Sequence, residues 1–144
     1  MSRPLSTQPT LSESRLIQDI QSVLTPDLLH PTYLRQWNSN RPVYWGHCYA
    51  ASEALFHMLG GKKAGYTSHC IRIDSSTHWF LRHKDTILDP TYEQFCLNPH
   101  ARVIISITHI TTAFLTALPS KRALEIIQRV KKMRATLNRY RTVR

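Results

Sequence analysis

Between Gly46 and the Gly60-Gly61 pair, Ala50, Ala51, Ala54, Leu55, Met58 and Leu59 form an apolar stripe at helical spacing. Glycine is wanted where a chain turns sharply into a helix, and it ends one by taking up the left-handed backbone of a C-terminal cap. The stretch reads as one helix from about Tyr49 to Leu59, with Cys48 at its start. A thiol there meets the positive end of the helix dipole and N–H groups that have no acceptor in the helix, and both favour the thiolate.

The sequence around this helix divides into readable pieces. Thr10 and Glu13 form a capping box, and Leu16, Ile17, Ile20, Val23 and Leu24 repeat behind it, so residues 11–24 read as an amphipathic helix. Thr25-Pro26-Asp27 starts a second, short helix that Pro31 breaks or bends. Residues 33–43 read as a loop. After the glycines, Tyr66–Ile73 alternates as a strand and Asp74-Ser75-Ser76 is a turn. His78–Arg82 and Thr86–Leu88 make an antiparallel hairpin about His83–Asp85. Residues 90–101 read as a connection. Val103 to Ile110 is β-branched and reads as another strand or a buried segment. Ser120 caps a last helix, about 120–138, with Leu124, Ile127, Val130 and Leu137 on its apolar face. Residues 1–9 read as a flexible terminus and 10–144 as one domain of α+β class.

Cysteine, histidine and aspartate then fall in order at element ends: Cys48 before a helix, His78 opening a strand, Asp89 closing another. If 78–82 and 86–88 pair, Asp89 comes near His78 across the open end of the hairpin, where a carboxylate can hold the imidazole in one tautomer. His78 and Phe80 share one sheet face and Trp79 takes the other. Cys48 is the candidate nucleophile, His78 the general base and acid, and Asp89 the orienting carboxylate. The backbone N–H of Cys48 is a candidate oxyanion donor, with Asn40, Gln36 or the Trp45 indole as the second. Tyr44, Trp45, His47 and Trp79 are candidates for lining a substrate cleft, with core packing as the alternative for each. Cys70 and Cys96 read as small core residues.

Gly46-His47-Cys48, followed by Ala50, Ala51, Leu55, Leu59 and Gly60, resembles the Gly-x-Cys start of the transglutaminase-like cysteine enzymes. His78-Trp79-Phe80 and Leu88-Asp89-Pro90-Thr91 are similar to that superfamily's histidine strand and Asp-Pro-Thr signature. The similarity spans about residues 44–95. It implies a papain/transglutaminase-like fold, with the nucleophile helix packed on a small antiparallel sheet. It also implies peptidase, amidase or acyl-transfer chemistry through a thioester acyl-enzyme on a peptide, protein or small amide.

Charge adds a second theme. Of nineteen Lys and Arg, nine lie in residues 121–144 against one acid, Glu125, a local balance of +8 in a chain of +10. Such a field attracts nucleic acid or an acidic protein, with Arg122, Arg129, Lys131, Lys132 and Arg134 as contacts. A non-catalytic binding module working through this helix is therefore the alternative to a thiol enzyme. No pair among the histidines and cysteines has structural-zinc spacing, no Gly-rich phosphate loop is present, and no cofactor is implied. Three cysteines without a disulfide pattern and no membrane-length apolar run point to the cytoplasm.

Overall fold

The computed structural model describes residues 8–142, so most of the expected loose terminus (residues 1–7) lies outside the described residues. Helix α1, Leu11–Val23, starts on the expected capping box. Thr10 Oγ1 accepts from Glu13 N at 3.1 Å, and Thr10 N donates to Glu13 Oε1 at 2.8 Å. The other Glu13 oxygen accepts from the Tyr66 hydroxyl at 2.7 Å, so this cap also fastens α1 to the sheet. Pro26–Leu28 makes a single tight turn. Pro31 then opens the one-turn helix α2, Pro31–Leu34, instead of breaking one, because proline suits a first helical position.

Helix α3, Cys48–Met58, buries Ala50, Ala51, Ala54 and Leu55 completely. It ends where Gly60 and Gly61 take φ of +98° and +65°. Strands β1 (Tyr66–Ile73), β2 (Ser76–His83) and β3 (Thr86–Leu88) form an antiparallel sheet in that order. Ile71 lies opposite His78, and Leu81 opposite Leu88. Asp74 and Lys84, both at φ +55°, make the two tight reversals. Tyr66, Leu81 and Leu88 face α1, α3 and α5 in the larger core. Ile71, Ile73 and Phe80 face Ala101 and Ile105 of helix α4 in a second core. The molecule is thus α+β, a small sheet with helices on both faces.

Two expectations fail here. Residues 103–110 are not a strand: helix α4 runs Pro99–Ile107. Asn98 caps it by accepting from Ala101 N at 3.1 Å, and Pro99 occupies the first turn. Its far end is held by buried Arg82, which donates from Nε to Thr108 O at 2.7 Å. Arg82 Nη2 adds bonds to Ser106 O at 2.9 Å and Ile105 O at 3.2 Å. A cation on the last carbonyls outweighs the strand preference of Val103, Ile104 and Ile105. The chain then runs along β1, where Thr112 N donates to Ser68 O at 2.8 Å and covers that edge.

The second correction concerns the last helix, α5, Lys121–Thr142. Ser120 does cap it, accepting from Ala123 N at 3.3 Å. Its buried face, however, is Ala123, Ile126, Ile127 and Val130, while Leu124 and Leu137 stand 44% and 50% exposed. Ala123, Ile126, Ile127 and Val130 join Ala50, Ala51 and Ala54 of α3 in the larger core, and Leu124 and Leu137 fall outside that face.

Candidate active site

The chain enters α3 through a strained turn. Tyr44 holds φ at +63° and Gly46 at +83°. A Cβ on Gly46 would stand 2.8 Å from Leu29 Cδ2, so only glycine fits without displacement. That turn delivers Cys48 half-buried at the first position of α3. Unlike α1, α4 and α5, this helix has no side-chain cap at its N-terminus. Its first N–H groups are left for whatever sits beside the thiol.

His78 and Asp89 meet as the hairpin register predicts. His78 Nε2 donates to Asp89 Oδ2 at 2.6 Å, and both side chains are only 2% exposed. The Leu-Asp-Pro-Thr stretch explains how the carboxylate is aimed. Asp89 Oδ1 accepts from the Thr91 N–H at 3.1 Å and from its hydroxyl at 3.4 Å, which leaves Oδ2 for the imidazole. Pro90 O accepts from Gln21 Nε2 at 3.0 Å, so α1 holds the turn from behind. Phe95 stands edge-on to the His78 ring at 4.6 Å, and Phe80 stacks at 6.0 Å.

Burial alone would pull the His78 pKa down. The Asp89 charge and hydrogen bond outweigh it, Cys48 adds to them, and the group is held up at about 10. Nδ1 is buried without a hydrogen bond and is the nitrogen left over for the thiol. The sulfur's own contact is with Thr77 O at 3.8 Å. Cys48 is close enough to act on the His78 ring, yet Nδ1 forms no hydrogen bond with the thiol. Cys70, by contrast, is pushed up by burial and then by the nearby Cys48.

Cys48 and His78 open onto a cleft of about 940 Å³, which Trp45, Gln36 and Phe95 also line. Trp45 is fixed by an edge contact with Tyr33 at 5.4 Å and by the Arg41 guanidinium 4.6 Å over its ring. The other sequence-nominated lining residues sit elsewhere. Tyr44 lies on the adjoining surface with Val43 and Trp37. His47 is buried and kept neutral, its pKa taken down to about 4 by burial and then by Arg122. Trp79 is on the opposite sheet face, against Tyr49 at 5.0 Å and Phe114 at 5.2 Å. Asn40 is exposed on the loop, its backbone N–H donating to Asn38, and does not line the cleft. Gln36 does line it, but its amide donates to Thr32 O at 3.2 Å.

Sequence reasoning missed Thr91 as the holder of Asp89, Phe95 as a wall, and Glu53. Glu53 is fully buried on α3 and accepts from Ser120 N at 3.1 Å and Oγ at 2.5 Å. The Asp-Pro-Thr triplet was a local signal for Thr91; the other two contacts are long-range and leave none. Among the described residues no three His, Cys, Asp or Glu side chains gather as metal ligands, and no helix is long and apolar enough to cross a membrane.

The basic helix is partly spoken for. Arg129 pairs with Asp27 at 2.7 Å and Glu125 at 3.0 Å, and Arg134 with Asp19 at 2.7 Å. Lys131 and Lys132 are exposed, and Arg122 lines the cleft. Comparison with protein-family models, curated proteins and solved structures finds no match.

Proposed function

We propose that the protein is a cysteine hydrolase or acyltransferase acting on an amide, peptide or isopeptide bond. The observation that carries this reading is the buried His78–Asp89 pair at 2.6 Å, with a half-buried thiol beside it at an uncapped helix N-terminus. The Cys48 proton passes to His78 Nδ1 as the site assembles, and Asp89 keeps the resulting imidazolium charged at neutral pH. The thiolate attacks the acyl carbon while the Cys48 N–H and the next free N–H groups of α3 receive the developing oxyanion. His78 then gives its proton to the departing amine, leaving a thioester. Water or a second amine, losing a proton to His78, attacks the thioester and releases the thiol. A helix bearing the nucleophile against a three-stranded antiparallel sheet that carries the histidine supports a papain/transglutaminase-like scaffold. Three free cysteines suit a reducing compartment, and we read the site of action as the cytoplasm.

The reading is tested by iodoacetamide labelling at pH 7, followed by mass spectrometry. Cys48 should react faster than Cys70 and Cys96, and His78→Ala should slow it about tenfold or more. Equal rates at the three cysteines, or indifference to His78→Ala, would overturn it. The alternative, a binding module for nucleic acid or an acidic protein, is weakened by Arg129 and Arg134 being paired within the molecule.

A further inference from the structure

We infer that the cleft accepts a substrate carrying a carboxylate beside the acyl group under attack, and that Arg122, with Arg41, binds that carboxylate. This rests on the thiol-enzyme reading and adds a substrate class to it. His30, Arg41, Arg72 and Arg122 line the cleft, against the single acid Asp74 at its exposed rim. Arg122 is the most informative of them. Among the described residues it pairs with no carboxylate, and its Nη1 is buried without a hydrogen bond. Its helix-mates Arg129 and Arg134 both have carboxylate partners, whereas Arg122, which lines the cleft, has none among the described residues.

Stability does not account for Arg122. It is the second residue of α5, where the helix dipole opposes a cation, and no acid occupies that first turn. The buried carboxylate of Glu53 accepts from Ser120 at Oε1, and its Oε2 meets no donor, Arg122 included. A guanidinium with a buried, unsatisfied nitrogen is costly, and such a departure from stable design marks a functional site. The charge is felt where it would matter. Arg122 holds His47 towards its neutral form after burial, and it acts on Tyr49, so both neighbours of Cys48 sense it. Arg41 lies across the Trp45 ring with Nε donating to Gln36 O at 3.2 Å, and it too pairs with no carboxylate among the described residues.

The test compares iodoacetate with iodoacetamide on the full chain. In both, the sulfur displaces iodide from the same carbon; only the former carries a carboxylate. The iodoacetate-to-iodoacetamide rate ratio at Cys48 should exceed that at exposed Cys96 by about tenfold in low salt, as a charge-lined cleft enriches an anion. It should fall towards the Cys96 value in Arg122→Gln and in high salt. If Arg122→Gln does not fold, Arg41→Gln on the exposed loop should still lower the ratio. A Cys48 that reacts quickly with iodoacetamide but has the Cys96 ratio would overturn this inference and leave the thiol reading standing. A Cys48 no faster than Cys70 and Cys96 with either reagent would overturn both.

Discussion

At the scale of single residues, the two oxygens of Asp89 do different work: Oδ1 is held by Thr91 and Oδ2 holds His78. Asp89→Asn should therefore cut Cys48 alkylation at neutral pH by about ten- to a hundredfold, because the imidazolium loses its counter-charge and its fixed tautomer. Thr91→Val removes the 3.4 Å hydroxyl contact with Asp89 and the bond that hydroxyl accepts from Gln94 Nε2 at 2.9 Å but keeps the N–H on Asp89, so its effect on the same rate should be within about threefold. Gly46→Ala is a different kind of change. It puts a Cβ 2.8 Å from Leu29 Cδ2 at a φ of +83° and should lower unfolding free energy by about 1–3 kcal/mol in urea titrations. Cys48 and Asp89 were legible as residues because each stands at the end of an element, whereas His78, expected to open a strand, lies two residues inside β2. Arg122 was singled out only as part of the basic helix and Glu53 not at all, since their places beside the cleft and Ser120 join segments that carry no sequence sign of one another.

At the scale of elements, legibility followed the turns. β1 and β3 have their expected limits because the reversals at 74–75 and 84–85 are unambiguous, though Ser76 and His83, expected in those turns, belong to β2; α1 starts where expected because its capping box is self-contained. Helix α4 was misread because Val103, Ile104 and Ile105 favour a strand locally, while the decisive stabiliser, Arg82, comes from β2. The Asn98-Pro99 start was the signal to weigh against those β-branched residues. Asn98→Ala should cost about 1 kcal/mol as a lost N-cap. Arg82→Met should cost more, on the order of 3 kcal/mol, since it strips charged donors from three carbonyls at the C-terminal end of α4. The two losses are separable by urea unfolding, and a smaller effect for Arg82→Met than for Asn98→Ala would mean that water replaces the guanidinium.

For the whole molecule, two buried histidines set opposite limits on pH. His47 falls to about 4 in the fold, so its contribution is complete above its ordinary 6.5 and is lost as pH drops through 4. His78 rises to about 10, so its contribution is complete below 6.5 and is lost as pH climbs through 10. Glu13, held low despite burial by Thr10 and Tyr66, adds to the loss on the acid side. Stability should peak near pH 6.5 and fall in both directions. Urea midpoints from pH 4 to 10 would trace it, with Asp89→Asn flattening the alkaline limb and His47→Gln softening the acid one. The bond from Gln21 to Pro90 spans 69 positions and ties the turn that aims Asp89 to the first helix. During synthesis Cys48 leaves the ribosome well before residue 89, and at about 5–20 residues per second seconds pass before the His78–Asp89 pair can form beside it. If Cys48 is the nucleophile, its base and the carboxylate that aims it come together only after that turn has formed, so the emerging polypeptide does not yet carry a complete site.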